Sequence, residues 1–544
     1  MKLKFNLLII ALLSSLVLFN ACKKKSSVFA VIPEDTKAVL VFDLKSVLKK
    51  ADFINIEDYS FFNTAMNEVE NENKKVFRLL EDFIEDPTTS GISLFGDSFV
   101  YFVDEGSDEK FVVWALPLSN GDKFGNWIDM LLDASDASFD IEKTSNYKYI
   151  NFDDNSGIAW NKEVAIFVVP TDYKSEDNIE DMMDYLMDLD TKDQISQNKD
   201  FIDFYSKKKD VSAWLDYSLL EDIDDYKNVM KTMNMDLDEM QLSLYLEFLD
   251  GEIKFTTTVK MPDNKEITDI YDAKFNGDIL KYSPDKTLGL LTYAFNPEAL
   301  GEYIQNISTY ALINDGVKEE IGYSIDEILA SFGGSFFVNV YDFDKIEVEY
   351  TDYELVWHDD TFEYTYDEVT STKEELIPLA VLVLDLKDSK VLDKLVDLIS
   401  QAGVIEKHND YYKIEEDGMN FYFGYNDDVL VVTLDEEAIK NFKDGGYSSS
   451  LASLNEGKSA KDNLFYLKFN LNIDDYPSVV IDKITDEDDD AEKFADYWNE
   501  TFDFIEMKTS GKNESEVSIV LKNDDENSLS FLLHTIDDIS KKFL

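Results

Sequence analysis

Cysteine, histidine and arginine are scarce in this chain. Its 544 residues include one cysteine and three histidines, and the only arginine is Arg78. One thiol cannot form an intrachain disulfide framework, and His358, His408 and His534 form no His-Glu-x-x-His pair that would hold zinc. Arginine is the favoured residue for bidentate contacts to phosphates and bases. Its scarcity, together with a formal net charge of −62, excludes nucleic-acid binding.

Catalytic motifs are equally scarce. No Gly-x-Ser-x-Gly elbow and no glycine-rich phosphate loop is present. Ser46 and Lys49 match Ser-x-x-Lys, but we interpret Ser46 as part of a helix start. Acidic clusters at 153–155 and 486–490 lack the spacing of a calcium loop, and we interpret them as solvated faces. The sequence therefore predicts no metal, no cofactor and no identifiable catalytic residue, although a carboxylate pair brought together by the fold stays open.

Apolar residues are plentiful by contrast. Hydrophobic residues make up 44% of the chain and aromatic residues 13%, which is ample for packed cores and too apolar for a disordered chain. The length indicates two or more domains.

The chain begins with a basic, then apolar, stretch. Lys2 and Lys4 precede an apolar run from Phe5 to Phe19, which at about 15 residues is shorter than the roughly 20 needed to cross a bilayer. This pattern is typical of a secretory signal, and the single cysteine, Cys22, follows it directly after Ala21. Removing residues 1–21 would take away the two lysines and leave a net charge of −64.

The residues up to Cys22 resemble the lipobox of bacterial lipoproteins. In that family the signal is cut before the cysteine, which then receives acyl chains, so the resemblance implies a signal peptide at 1–21 and membrane attachment through Cys22. Residues 22–27 would form a tether. The tether contains Lys23, Lys24 and Lys25 but no acid, which by resemblance favours the periplasmic side of the outer membrane over the cell surface.

The pattern of the rest of the chain predicts runs of strands, with only two or three helices in each of two copies. Strands are expected at Ala38–Phe42, Phe111–Leu118 and Val164–Val169, and one long helical region at Ile56–Ile84. This order predicts an α+β fold with a largely antiparallel sheet.

Sequence features then recur in the same order. Pro33 before the first strand has a counterpart in Pro284, Gly96 in Gly333 and Asn161 in Asn426. The difference in residue number between matched features varies along the chain, but their order does not change, which indicates a tandem duplication. We expect two similar lobes, each a largely antiparallel sheet with a few helices, at 28–262 and 278–544, joined by a linker at 263–277.

The second copy carries an insertion. The offset is 237 residues from Gly96 to Gly333 and 267 from Lys123 to Lys390, so about 30 residues are added between them, which we interpret as a β-ribbon at about 345–375. The ribbon is either a simple extended hairpin or a contact surface, because it carries several aromatic residues. They are Tyr353, Trp357, Phe362, Tyr364 and Tyr366.

Taken together, these features resemble a lipoprotein family of Bacteroidota known as domain of unknown function 4836. The features that carry the resemblance are the signal, residues 31–36 before the first strand, and the Phe-Gly turn before a later strand. The resemblance implies a cell-envelope location and brings no known activity. Two functions follow as hypotheses: a non-catalytic binding or scaffolding lipoprotein with an envelope protein or polymer partner, or a carboxylate-based hydrolase acting on envelope or extracellular polymers.

Overall fold

The computed structural model describes most of the chain from residue 27 onward. The described residues are 27–104, 110–152, 156–171, 179–222, 240–261, 269–307, 309–358, 363–401, 403–408, 411–416, 419–485, 489–509, 511 and 513–543. Within them, contacts separate two compact units. The first comprises the described parts of 27–222, 240–261 and 523–543, and the second those of 269–522.

The first unit is built on ten antiparallel strands. They are β1 (Ala38–Asp43), β2 (Asp97–Asp104), β3 (Lys110–Pro117), β4 (Glu142–Lys143), β5 (Lys148–Asn151), β6 (Gly157–Trp160), β7 (Val164–Pro170), β8 (Val211–Asp216), β9 (Gln241–Leu249) and β10 (Glu252–Lys260). Their order across the sheet is β10-β9-β8-β1-β2-β3-β7-β6-β5-β4. Side chains alternate across the strands, so Val39 and Val41 of β1 are buried while their neighbours are partly exposed.

Helices occupy the connections of this sheet. They are α1 (Leu44–Lys50), α2 (Ser60–Glu72), α3 (Lys74–Glu85), α4 (Gly121–Ala134), α5 (Ile179–Met187), α6 (Lys199–Ser206) and, from the end of the chain, the helix Ser528–Phe543. The long helix expected at Ile56–Ile84 is instead a 3-10 turn followed by α2 and α3. The break falls at Asn73, whose extended backbone and side-chain oxygen cap the first turn of α3.

Two apolar clusters form the core of the first unit. One joins the central strands to α5 and α6 and includes Phe99, Val113 and Phe201. The other packs α3 and α4 on the strands through Phe83, Phe124, Trp127 and Trp160, all at most 2% exposed.

The second unit repeats the pairing order of the first. Its strands are β11 (Gly289–Ala294), β12 (Phe332–His358), β13 (Glu363–Leu386), β14 (Glu406–Lys407), β15 (Tyr412–Glu416), β16 (Met419–Tyr425), β17 (Val429–Thr433), β18 (Phe465–Asn470), β19 (Phe502–Thr509) and β20 (Glu514–Leu521). They lie in the order β20-β19-β18-β11-β12-β13-β17-β16-β15-β14. The predicted α+β fold with largely antiparallel sheets is confirmed.

Between β11 and β18, the helices of the second unit fall at places in the chain that match those between β1 and β8. They are α7 (Pro297–Gln305), α8 (Tyr310–Ile321), α9 (Ile325–Ala330), α10 (Lys390–Gln401), α11 (Glu436–Lys443), α12 (Asn455–Asp462), α13 (Ser478–Thr485) and α14 (Asp489–Thr501); Ser528–Phe543 is therefore α15. Phe337, Val381 and Val431 lie in the apolar core of this unit. No helix in the described ranges is long and apolar enough to cross a membrane.

Equivalent positions have equivalent local structure. Pro33 bridges Gln194 in the first unit, and Pro284 bridges Ser450 in the second. The Asn161 side chain accepts hydrogen bonds from the backbone of Glu163 and Val164, at 2.9 and 3.0 Å. The Asn426 side chain accepts the equivalent two hydrogen bonds from the backbone of Asp428 and Val429, at 2.9 and 3.0 Å. Both asparagines therefore form the same turn before the equivalent strands β7 and β17.

The unit boundaries differ from the sequence interpretation in two places. Phe275, expected in the linker 263–277, is buried in the core of the second unit. The helix α15, expected in the second lobe, packs in the first unit. There the Asn527 side chain donates to the carbonyl of Phe248 at 3.0 Å, and Asp537 accepts hydrogen bonds from the start of α2.

Candidate binding surface

A long two-stranded ribbon distinguishes the second unit. β12 and β13 contain 27 and 24 residues, whereas their counterparts β2 and β3 contain eight each. The two long strands pair without a break from Asp342 opposite Leu379 to His358 opposite Glu363. The predicted insertion at about 345–375 is thus present as an extended hairpin. We call residues 345–358 and 363–375 the ribbon.

The ribbon extends past the strands that flank it. β12 pairs with β11 only over Ser335–Val340, and β13 pairs with β17 only over Val381–Asp385. Among the described residues, the ribbon strands therefore pair only with each other. The described side chains of the ribbon are exposed or half-buried, so the ribbon adds surface rather than core.

One face of the ribbon is aromatic. Side chains alternate between faces along a strand, so Tyr353, Leu355 and Trp357 share a face, and Trp357 and Leu355 lie opposite Tyr364 and Tyr366. We call these five residues the aromatic face. Their exposed fractions are 59% for Tyr353, 54% for Leu355, 43% for Trp357, 63% for Tyr364 and 71% for Tyr366.

Contacts within the aromatic face are limited. The rings of Trp357 and Tyr364 lie 4.9 Å apart between centroids, a cross-strand aromatic pair. The Tyr353 hydroxyl lies 3.5 Å from a carboxylate oxygen of Glu368, directly opposite it. These contacts leave much of each ring facing solvent, which is the property expected of a contact surface.

Acidic residues surround the aromatic face. From 346 to 372 the chain contains nine aspartates and glutamates and no lysine or arginine. At the base of the ribbon, Lys345 pairs with Glu374 at 3.0 Å and Lys373 with Glu375 at 2.5 Å. The hydrogen bond that Lys373 donates to Glu375 raises the pKa of Lys373 above its ordinary value. Two ion pairs thus neutralise acidic side chains at the base of the ribbon. The stretch toward its tip contains acidic residues and no lysine or arginine.

Ser46, which matches Ser-x-x-Lys, lies at a helix start as expected. Asp43 caps α1 by accepting from the Ser46 amide at 3.0 Å. The Ser46 hydroxyl donates to Asp210 at 2.5 Å, and Asp210 also accepts from Lys50 at 2.7 Å and from the amide of Phe248 at 2.6 Å. With its hydroxyl bound to a buried carboxylate, Ser46 has a structural role.

Two carboxylates that share one lysine come together in the first unit. Lys208 binds Asp43 at 2.6 Å and Asp97 at 2.8 Å, and the Tyr205 hydroxyl donates to the other oxygen of Asp97. Burial raises the pKa of Asp97, and Lys208 and Tyr205 only partly oppose this. Burial lowers the pKa of Lys208, but the two carboxylates outweigh burial and the pKa is raised.

This arrangement favours a structural role over catalysis. Asp97 is only 9% exposed, and both of its oxygens are held by side chains of the same unit. Two clefts in the second unit, of about 380 and 150 Å³, are lined by other residues. The larger lies between 271–275 and 461–464, and the smaller beside Lys468 and Phe504. Sequence reasoning missed the Asp43–Lys208–Asp97 group because its members are far apart in the chain.

His408 and His534 lie in separate environments. His408 stacks on Tyr411 and lies 3.8 Å from Glu406, and His534 contacts Glu526 at 2.9 Å. In the described part of the chain, no three His, Cys, Asp or Glu side chains are grouped to hold a metal ion. Cys22, Phe362 and the acidic residues 153–155 and 486–488 lie outside the described residues.

Comparison with known proteins identifies a family without a known function. Residues 29–529 match the family described as domain of unknown function (DUF4836). The chain belongs to this family. DUF4836 therefore covers both units of the fold, including the ribbon.

Other comparisons add little to the DUF4836 assignment. No curated protein matches the chain. Solved structures of crystal forms III and I of TP0453 are similar at 12% identity, with TM-scores of 0.26 and 0.24. The matches cover 45% of this chain and 83% and 82% of those chains. At this level of similarity they support no inference about function.

Proposed function

We propose that this DUF4836 protein is a lipid-anchored, non-catalytic binding or scaffolding protein of the outer membrane, and that the aromatic face of its ribbon contacts the partner. The observation that carries the proposal is the solvent exposure of Tyr353, Leu355, Trp357, Tyr364 and Tyr366 on one face. Aromatic residues are enriched at the centres of protein interfaces, where they supply most of the binding free energy.

The position of the ribbon supports a binding role. The strands β2 and β3 of the first unit complete the same sheet with eight residues each, so the fold does not need the added length. Exposed aromatic residues on one face raise the risk of aggregation, and an insertion that only stabilised the sheet would gain nothing from them. A contact surface accounts for both the insertion and its composition.

The lipid anchor completes the proposal. Cys22 follows a short apolar run and Ala21, as in the lipoproteins of Bacteroidota that the chain resembles. Acyl chains contribute about 0.8 kcal/mol per buried methylene, and two or more hold a protein at a membrane stably. The lysines at 23–25 and the absence of an acid from the tether favour the periplasmic side.

The binding role is tested by crosslinking in intact envelopes. Tyr364→Ser with Tyr366→Ser removes two exposed rings from the aromatic face. The matched control, Leu312→Ser with Ile313→Ser, removes two exposed apolar side chains from α8, which are 80% and 55% exposed. We expect the specific crosslinked proteins or polymers to be lost from the first variant and retained in the second. Retention of the same partners by both variants contradicts the role of the aromatic face.

The anchor is tested by Cys22→Ser, which should move the protein from the detergent-extracted membrane fraction to the soluble exported fraction. A variant that stays with the membrane would refute attachment through Cys22. Protease added to whole cells tests the side, since digestion with the envelope intact would place the chain on the cell surface.

A further inference from the structure

We propose that the aromatic face binds an extended, cationic protein segment in which lysine or arginine side chains alternate with apolar ones. This inference rests on the proposed function and specifies the chemistry of the partner. It is carried by charge complementarity along the ribbon and by the open edges of its strands.

The side of the ribbon that carries the aromatic face also carries negative charge. Glu368 lies opposite Tyr353, and Glu349 lies two pairs further along the same face; both are exposed. No lysine or arginine occurs between 346 and 372 to neutralise them. A cationic side chain over this face would meet carboxylates and aromatic rings together, the combination that attracts lysine and arginine most strongly.

The strand register also places an acid against an acid on the side of the aromatic face, where Glu347 lies opposite Glu374. Like charges at directly opposite positions of an antiparallel pair destabilise it. Lys345 relieves this at the base by binding Glu374 at 3.0 Å, whereas the stretch 346–372, which contains Glu349 and Glu368, has no lysine or arginine. A cationic partner would supply to Glu349 and Glu368 what Lys345 supplies to Glu374.

Within the ribbon, one lysine already contacts an aromatic ring and a carboxylate at the same time. Lys373 lies over the ring of Tyr350 at 5.6 Å from its centroid while binding Glu375. This contact joins a cation, an aromatic ring and a carboxylate on the face opposite the aromatic face. Tyr353 and Glu368 present the same ring and carboxylate on the aromatic face, and neither has a lysine or arginine close to it in sequence.

An extended segment fits the backbone as well. Within the described residues, neither outer edge of the ribbon has a strand partner. A peptide that adds to either edge as a third strand gains main-chain hydrogen bonds and places every second side chain on one face. Alternation of cationic and apolar residues would therefore present the cations to Glu349 and Glu368 and the apolar side chains to the opposite face.

The charge of the chain disfavours other occupants. A second copy would bring an identical acidic ribbon against this one, and its body is equally negative, at −62 for the full sequence. An anionic lipid surface is repelled for the same reason. A neutral polymer could stack on the rings but would gain nothing from the nine acids between 346 and 372.

The test uses the full-length protein and three labelled peptides, in which valine alternates with lysine, glutamine or glutamate. Binding is measured by fluorescence anisotropy at low and physiological ionic strength. We expect the lysine peptide to bind more tightly than the glutamine peptide, with an affinity that falls as salt is added. Equal binding of the lysine and glutamine peptides, or binding of a soluble neutral polysaccharide in preference to both, would overturn the proposal.

Two matched variants locate the site. Glu349→Gln with Glu368→Gln removes two charges from the aromatic face, and Asp352→Asn with Glu354→Gln removes two from the opposite face. We expect the first to weaken binding of the lysine peptide by about five-fold or more, as for two exposed ion pairs, and the second to weaken it much less. An equal loss in both variants would show attraction to overall charge and overturn the assigned site.

Failure of this inference is distinguishable from failure of the proposed function. If the lysine peptide does not bind but Tyr364→Ser with Tyr366→Ser still abolishes crosslinking in the envelope, the cationic chemistry is wrong and the contact surface stands. If that variant keeps all its crosslinked partners, both are wrong.

Discussion

The C-terminal helix makes a contact whose strength can be measured through pH. Asp537 of α15 accepts hydrogen bonds from the Ser60 hydroxyl at 2.6 Å, from the Ser60 amide, and from the Phe61 amide at 3.4 Å. It also pairs with Lys541 at 2.5 Å. Asp537 is 4% exposed, and it satisfies amides at the first turn of α2 that have no partner within that helix.

These contacts lower the pKa of Asp537. Burial raises it, but the hydrogen bonds from Lys541, Ser60 and Phe61 outweigh burial and lower it from 3.8 to about 2. The difference corresponds to about 2 kcal/mol of stability at neutral pH. Because the pKa in the folded state lies below its ordinary value, this stability is present above about pH 4 and is lost as the pH falls toward 2.

The perturbation is Asp537→Asn, which keeps the shape and removes the charge. We expect the free energy of opening of α2 and α15 to fall by about 2 kcal/mol at pH 7, or about thirty-fold in the opening equilibrium. Hydrogen exchange followed by mass spectrometry reports this opening for each helix separately, which matters because a chain of two units does not unfold in one step.

The pH dependence tests whether the effect of Asp537→Asn comes from the lost charge. The variant and the wild type should nearly converge at pH 2, where Asp537 is protonated in the unfolded state and about half protonated in the folded state. Asp538→Asn is the control, since Asp538 has a side chain 65% exposed and lies 3.8 Å from Lys541, and it should change exchange little. An effect of Asp537→Asn that is the same at pH 7 and pH 2 would refute the reasoning.

Three further predictions concern the two units. Lys208→Met should destabilise the first unit by about 3 kcal/mol in urea unfolding at pH 7, because it leaves the buried carboxylate of Asp97 without its cation. The loss should shrink as the pH falls, since the raised pKa of Asp97 allows it to become neutral. A loss independent of pH would contradict this. Asn161→Ala and Asn426→Ala should each cost about 1 kcal/mol in their own unit, and a cost in only one of them would argue against equivalent turns. Trp357→Ala should change the melting temperature by less than a core substitution, because it removes an exposed cross-strand pair worth about 1 kcal/mol or less; a loss of several kcal/mol would give the ribbon a structural role.

Local patterns in the sequence predicted much of this fold. The strands β1, β3 and β7 follow from short apolar runs, and the duplicated order of features anticipated the same strand pairing in both units. The inserted ribbon was predicted because offsets between the copies changed at one place, between Gly333 and Lys390. Each of these signals lies within a short window or a repeated spacing, which one sequence can reveal.

Contacts between distant segments were not predictable in this way. The helix α15 has an ordinary amphipathic pattern, and nothing in it indicates packing against Ser60, which precedes it by 477 residues. The Asp97 group is assembled from residues up to 165 apart. The break at Asn73 was missed because the sequence pattern does not distinguish an asparagine inside a helix from one that caps a new helix.

The aromatic face was partly predictable. Tyr353, Trp357, Tyr364 and Tyr366 were named for a contact surface, one of two interpretations of the ribbon beside a simple extended hairpin. Leu355 was not named, because a single leucine in a strand indicates burial as readily as exposure. Which aromatic residues share a face depends on the register of β12 and β13, and the register is set by pairing.

The most direct test of the central claim is a photo-crosslinking residue placed at one position of each face in intact envelopes. Replacement of Tyr366 puts the crosslinker on the aromatic face, and replacement of Glu354 puts it on the opposite face of the same ribbon. The account predicts a specific adduct from position 366 and none from position 354. Absence of an adduct at 366, or the same adducts from both positions, would contradict the account.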